Sequence, residues 1–391
     1  MDRETTYRED RLMHPSITRR TRTCALAAAA VALAAAGTMG PAVAGPDTTP
    51  GGPWPQGEEN TNALRSYEQL WSTLESIEGS AKGSFDLSPA PLPSNTGREI
   101  PVVTIGDGDT DIMFVANQHG NEYLVSNAMI SVVRGLAGGS AEAKAIRDAL
   151  TVTIVPRVNV DGFDADVVDL AGNTTPWRQN FDTSCPAFCE FYQAGRGYDI
   201  NRYHSYSESA YDHPYQPGPD TNNPVPEATA MRLLWDERQP RLVVDFHHQG
   251  TYVDDEGRMI TGSVMWPNAE AEAEALGISE EFAGVVTDSK RVVSEMLDAL
   301  EGKGYANITR YPSTPFPGIA RNAYGLLGSA SVLYEARGDM GQASGGMIAK
   351  QTEVAGTAIL RAAADGSLWT RDTVPADTIR ERGPFVPDPH G

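Results

Sequence analysis

The chain of 391 residues has a mass of 42.0 kDa, the size of one large domain with accessory ends. Apolar residues make up 40% and charged residues 21%, enough for a sizeable core and too few charges for a disordered chain. With 31 Lys plus Arg against 52 Asp plus Glu, a net of -21, the chain repels phosphate backbones and anionic lipid, which excludes nucleic acid as an expected partner.

Residues 17–44 read ITRRTRTCALAAAAVALAAAGTMGPAVA. Arg19, Arg20 and Arg22 precede an Ala-rich apolar run over residues 24–36, and Ala42-Val43-Ala44 offers an A-x-A cleavage site, the order of a secretory signal peptide. The run is shorter than the roughly 20 residues of a membrane span, so export with cleavage after Ala44 is expected and a stable membrane anchor is not. Arg19-Arg20 leaves a twin-arginine route open, while the polar Thr21 and Thr23 fit Sec export better. Residues 1–44 hold six basic and four acidic residues, so the remainder is more acidic still. Residues 45–62 are rich in Pro, Gly and acid, a linker by composition. That linker is too short to fold over a cleft, and the exported protein is expected to be active without trimming.

Helical spacing begins near Ala63, with Leu64, Tyr67, Leu70, Trp71 and Leu74 on one face. Strand runs follow at residues 100–105 and 111–116, then helical spacing at 123–136 and a β-branched strand at 151–155. Residues 157–225 are rich in Asn, Asp, Gly and Pro without clear periodicity, and so long an irregular stretch inside a domain is usually functional. Within it lie Cys185 and Cys189, for which a small disulfide is expected in an oxidising compartment; a zinc site would need two further ligands at matching distance. A strand at 242–246, an amphipathic helix at 279–300, a strand at 330–334 and a helix at 347–364 complete the alternation. The pattern predicts an α/β fold: a mixed, mostly parallel twisted sheet with helices on both faces. The expected organisation is a signal peptide at 1–44, a linker at 45–62, a catalytic domain at 63–370 and a loose C-terminal tail at 371–391.

The strand at 111–116 runs into Asn117-Gln118-His119-Gly120-Asn121-Glu122 as helical spacing starts. A His and a carboxylate three apart on a first turn face the same side and can share one metal ion, although H-x-x-E alone is a weak signal. A second strand ends in His247-His248, and the carboxyl end of a buried strand is where open α/β sheets keep their sites. A His, a Glu and a distant His with an open fourth position form the ligand set of a catalytic zinc. Asp245, two residues before His247 and on the same face of the strand, is placed to support it.

Taken together, HGNE (119–122), RVNVDGF (157–163), PWRQN (176–180), YDINRY (198–203), VVDFHH (243–248) and LYEARGD (333–339) stand in the order, and at spacings similar to those, of the M14 zinc carboxypeptidases. The chain resembles that family from about Tyr67 to its last helix, and TGREIPVVTIG (96–106) is similar to the family's first hairpin. The resemblance implies one Zn2+ per chain on His119, Glu122 and His247, with His248 the competitor for the third place. It implies Glu335 as the general base and Arg178 as the residue that steadies the oxyanion. Asn201 and Arg202 would grip the substrate's terminal carboxylate, for which a planar guanidinium fork is suited. Tyr311 would close over substrate, with Tyr324 the alternative. Residues 318–322 would set side-chain preference: Arg321 in the pocket implies an acidic or polar guest, Ala320 a small or apolar one. Tyr203 stands where the family usually has Asn, Thr175 where it often has a second arginine, and EARGDMG is one residue longer than the usual ending.

The function implied is a secreted zinc metallocarboxypeptidase acting, as a monomer, on peptides with a free C-terminal carboxylate. A cell-wall peptide amidase or an N-acyl amino acid deacylase on the same scaffold is the second reading. A non-catalytic binding module is disfavoured, because the implied ligands and base are all present.

Overall fold

Ser66 starts the first helix: its hydroxyl accepts from Gln69 N while the Gln69 side chain accepts from Ser66 N, a capping box that opens α1 (Tyr67–Glu78). Of the expected face, Leu70 and Leu74 are buried and Tyr67 and Trp71 half-buried, and Ile77 extends it by a turn. The computed structural model describes residues 65–164, 167–168, 174–175, 177–180, 182, 197–216, 222–338 and 342–386. The expected signal peptide, the linker, Cys185 and Cys189 lie outside them.

In chain order α1 is followed by β1 (Phe85–Pro89), β2 (Pro101–Ile105), β3 (Thr110–Ala116), α2 (Tyr123–Ala137), α3 (Ala141–Ala149), β4 (Leu150–Val155) and the single turn α4 (Val160–Asp164). A two-stranded ribbon, β5 (Val167–Val168) and β6 (Thr174–Thr175), precedes α5 (Pro226–Arg238), β7 (Leu242–Gln249) and β8 (Gly262–Met265). Then come α6 (Glu270–Leu276), α7 (Ser279–Glu301), β9 (Ile308–Arg310), α8 (Ala320–Leu326), β10 (Ala330–Arg337), α9 (Gln342–Ala364) and α10 (Val374–Thr378).

Eight strands form one sheet in the order β1-β2-β4-β3-β7-β10-β8-β9. The central run β4, β3, β7 and β10 is parallel, as is β8 with β9, whereas β1 with β2, β2 with β4 and β10 with β8 are antiparallel. This is the mixed, mostly parallel sheet expected from the alternation. Successive side chains of a strand face opposite sides, so each central strand feeds two cores. Ile112, Phe114, Val244 and Phe246 pack under α1, α2, α7 and α9, while Met113, Val115 and Val243 pack against Met231 and Trp235 of α5 and Tyr324 of α8. Alternation along β7 therefore turns Asp245 and His247 toward the face covered by α5 and α8.

Two expectations are revised. Strands β7 and β10 do not stop at Phe246 and Tyr334 but run on to Gln249 and Arg337, so His247 and Glu335 lie within strands and take their directions from the pleat. Polar side chains hid the continuation, because the hydrogen-bonded ladder does not require apolar residues. The C-terminal segment is not loose over its described part. Arg382 N donates to Arg310 O (2.9 Å) and Val386 N to Thr251 O (2.9 Å), with bridges joining Arg310 to Glu381 and Tyr252 to Phe385. Residues 381–386 thus run against the edge of the sheet beside β9. A Pro- and Arg-rich composition reads as tail, yet the backbone groups of an exposed strand edge recruit it.

Candidate metal centre

The centre is built at the carboxyl ends of β3, β7 and β10. After β3 the backbone turns sharply at Asn117, which sits at φ 57, a left-handed conformation that Asn tolerates. Its side-chain amide donates to His119 O (2.7 Å) and Glu122 O (3.0 Å), folding the HGNE segment into a tight turn ahead of α2. Gly120 is required in that turn, since a Cβ there would lie 2.2 Å from Trp177 O. Asn159, in the RVNVDGF segment, holds the facing strand of chain: its amide nitrogen donates to Arg178 O (3.0 Å) and Gln179 O (2.9 Å). These buried bonds fix where Arg178 leaves the backbone.

The parallel register of β7 and β10 sets Glu335 beside His247 and Leu333 beside Asp245. His119 and His247 are both buried and face each other, with Nδ1 atoms 3.1 Å apart. Glu122 bridges them: one oxygen lies 2.7 Å from His119 Nδ1 and the other 2.7 Å from His247 Nδ1. On the far side of each ring, Nε2 meets an aspartate, Asp199 Oδ1 for His119 (2.8 Å) and Asp245 Oδ2 for His247 (2.8 Å). A proton on Nε2 is held by those carboxylates, which leaves each Nδ1 lone pair directed at the centre. Two imidazole lone pairs and a carboxylate, all within 4.8 Å of one another, are a donor set that suits zinc. The two Nδ1 atoms and the two Glu122 oxygens thus converge on one point, as the ligands of a single cation do.

His248, the competitor for the third place, points away. Its Nε2 accepts from Leu124 N (3.1 Å), and its ring packs edge-on to Tyr123. Burial lowers its pKa to about 4, so it is neutral at ordinary pH.

Around the centre opens a cavity of about 430 Å³ lined by His119, Arg178, Arg202, Tyr311, Arg321 and Glu335, among others. Glu335 is 7% exposed, and its buried Oε2 has no hydrogen-bond partner. Burial pushes its carboxyl up to about 8, which poises it to exchange a proton near neutral pH. Arg178 donates to Glu122 Oε1 (3.3 Å) and Asp199 Oδ2 (3.1 Å) and faces the same space. Arg202 donates to Asn201 O (2.8 Å) and lies 3.8 Å from Asp199 Oδ2.

Asn201 is placed differently from expectation. Its oxygen accepts from Ala320 N (2.8 Å), so its nitrogen faces Asp245 Oδ2 (3.1 Å), and both ends of the amide are used in holding the β7 carboxylate and the start of α8. It also borders the cavity, beside Arg202. Between the two tyrosines the geometry discriminates. Tyr311 lines the cavity, whereas Tyr324 is fully buried with its hydroxyl 3.0 Å from His204 Nδ1. His204 continues to Gln118 Oε1 (2.6 Å), and Gln118 donates to Asp245 (2.7 Å), a buried chain of bonds ending on the carboxylate that supports His247. Reading the sequence anticipated Asp245 but missed Asp199, Gln118 and His204. YDINRY contains Asp199, and only the fold shows that it reaches His119.

The family model for zinc carboxypeptidases, Peptidase M14, matches residues 93–306, more than half of the chain. A comparison with curated proteins found no match. Among solved structures, the chain is similar to a metallo-carboxypeptidase from Pseudomonas aeruginosa, with 17% identity, TM-score 0.54, and 77% of this chain and 70% of that one covered. It is also similar to bovine thrombin-activatable fibrinolysis inhibitor, with 15% identity, TM-score 0.52, and 78% and 98% covered. Carboxypeptidase A from Helicoverpa armigera gives 16% identity, TM-score 0.51, and 78% and 74% covered. At these identities the likenesses concern the fold. The family match carries the assignment, and the buried His119, Glu122 and His247 cluster agrees with it: this chain belongs to the zinc carboxypeptidase family, Peptidase M14, and is a zinc-dependent peptide hydrolase.

Proposed function

We propose that the protein is an exported carboxypeptidase that releases one residue at a time from the carboxyl end of peptides. The observation that carries this reading is the shared cavity, in which the free oxygen of Glu335 stands with the His119, Glu122, His247 cluster and with Arg202. Zinc held by those three ligands supplies a Lewis acid that polarises a carbonyl and acidifies water. Glu335 is the base that takes a proton from the attacking water and returns it to the leaving amine. Arg178 presents N–H groups to the negative charge that develops on the scissile oxygen, and its two carboxylate partners keep it oriented until then. Arg202 pairs with the terminal carboxylate, and Tyr311 covers the occupied site.

The basic, apolar, A-x-A order of residues 17–44 supports export with cleavage after Ala44. Among the described residues no helix is long and apolar enough to cross a membrane. We further propose that residues 65–386 act as one catalytic unit, that Cys185 and Cys189 form a disulfide, and that the enzyme works as a monomer. The inward turn of Asn201 leaves one amide fewer for a terminal carboxylate, the observation that favours an amidase or deacylase reaction as the second reading. A pool of peptides incubated with zinc-loaded protein from Gly45 onward distinguishes the two. Loss of residues from carboxyl ends supports the first, and an untouched pool beside cleaved cell-wall fragments or acyl amino acids supports the second.

A further inference from the structure

Between α1 and the end of α2 a second cavity of about 570 Å³ opens, larger than the one at the metal centre. Three cations line it: Arg65 just ahead of α1, Lys82 in the turn after α1, and Arg134 in the last turn of α2. Ser72, Ser76 and Ser80, spaced at four residues along α1 and its end, stand on the same wall, and no acidic residue lines it among the described residues. At 1.5 Å per residue, Arg134 lies about 18 Å along α2 from Glu122, so this cavity is separate from the metal centre.

None of the three cations pairs with a carboxylate among the described residues. Other surface cations of this acidic chain do: Lys144 with Asp148, Lys350 with Glu353, Arg361 with Glu142 and Arg371 with Glu295. Arg65 is half-buried and held by neutral acceptors, Nε donating to Thr73 Oγ1 (3.2 Å) and Nη1 to Asn127 Oδ1 (3.0 Å). Partial burial and the charge of Arg134 both lower its pKa, as happens when two cations meet without a neutralising group. Helix ends do not account for the cluster. A cation favours the carboxyl end of a helix, yet Arg65 precedes the amino end of α1. The carbonyls that close α2 are already taken: Gly135 O by Gly138 N, Ala137 O by Lys82 N, and Leu136 O and Gly138 O by the Arg147 side chain. The side chains of Lys82 and Arg134 have no such task.

We propose that this cavity is a binding site for a small phosphate monoester, with Arg65, Lys82 and Arg134 around the phosphoryl oxygens. Guanidinium and ammonium groups are the usual donors to such oxygens, and three of them favour a dianion. A volume of this order takes a sugar-sized body beside the phosphoryl group, and the serines offer donors and acceptors to its hydroxyls. Attraction to the cations is felt within a Debye length of roughly 8 Å. A short ligand inside the cavity gains it in full, while a long polyanion would run on over the surface of a chain of net charge -21.

The test titrates the zinc-loaded enzyme with glucose 6-phosphate and with glucose 6-sulfate, which carries the same tetrahedral group with one charge fewer, and reads the heat of binding by calorimetry. The expected result is one saturable site per chain, tighter for the phosphate by roughly tenfold, with affinity falling as salt is raised. Arg134→Gln and Lys82→Gln are each expected to weaken phosphate binding by roughly tenfold to hundredfold, the loss of one charge-assisted contact. Both positions are exposed, circular dichroism checks that each variant folds, and either variant alone decides. Arg202→Gln, which alters the catalytic cavity, is expected to bind the phosphate as wild type does. Equal affinity in wild type, Arg134→Gln and Lys82→Gln puts the ligand elsewhere, on zinc included, and overturns the proposal. So does the absence of saturable binding at millimolar phosphate ester, or sulfate bound as tightly as phosphate.

Discussion

His119 and His247 bring their Nδ1 atoms to within 3.1 Å of each other while each anchors Nε2 on a different aspartate, Asp199 for the first and Asp245 for the second. The aspartates make the site: they fix both ring orientations and both tautomers before metal arrives. Asp199→Asn is therefore expected to weaken zinc binding by roughly 10- to 100-fold, read by competition with a chelator of known affinity. His247→Ala, which removes a ligand outright, is expected to abolish stoichiometric zinc. Unchanged zinc affinity in Asp199→Asn would show that the anchoring bond is incidental.

Glu335 is the second element of the account. Glu335→Gln keeps the volume and the neighbours and removes the base, so kcat is expected to fall by about 10²- to 10⁴-fold with zinc content unchanged. The sign of the pH dependence follows from the raised carboxyl: the base acts only after losing its proton, so kcat/KM rises with pH through its pKa. The cationic metal favours the carboxylate, which places that limb below the value of about 8 produced by burial. A pH-rate profile lacking an acid limb contradicts this assignment.

Much of this centre was legible in the sequence because its ligands are either close together in the chain or carried on a recognisable strand. HGNE places His119 and Glu122 on one turn, and VVDFHH places Asp245 and His247 on one face of β7. What was not legible depends on contacts between distant segments. Nothing in YDINRY alone shows that Asp199 reaches His119 across 80 residues, or that Asn201 turns inward to Ala320 N. Asn159 reads as a loop residue until its amide is found holding Arg178 O and Gln179 O. The C-terminal segment failed for a related reason. Its pairing with Arg310 and Thr251 uses backbone groups, to which composition is blind.

That segment carries Arg382, whose guanidinium lies 3.7 Å from the ring centroid of Tyr252 and 4.4 Å from that of Tyr311, and donates to Gln249 Oε1 (3.0 Å). Stacking of this kind is worth about 0.5–2 kcal/mol and holds Tyr311 in the cavity wall. Arg382→Ala is expected to raise KM by roughly twofold to thirtyfold, the same energy expressed as binding, with kcat less affected. Steady-state kinetics check this, and a variant with wild-type KM shows that Tyr311 needs no support.

Away from the centre, Glu227 on α5 is fully buried, accepting from Asn95 N (2.8 Å) and Asn180 Nδ2 (3.0 Å). Burial pushes its carboxyl up to about 7. The folded state thus holds a proton that the unfolded state releases, and this contribution to stability is full at low pH and declines as pH rises toward neutrality. The loss amounts to about 3 kcal/mol at most. Glu227→Gln is expected to remove it, so chemical denaturation at several pH values should show a gap between variant and wild type that changes in the variant's favour with rising pH. A gap independent of pH means that Glu227 is ionised throughout.

The central claim is that this metal centre, with Glu335 beside it, removes residues from the carboxyl ends of peptides. It is tested most directly by mass spectrometry of a mixed peptide pool incubated with zinc-loaded protein, with and without chelator, beside Glu335→Gln. The account predicts ladders shortened from the carboxyl end that vanish with either chelator or the substitution. Internal cleavage, or ladders that persist in Glu335→Gln, would contradict it.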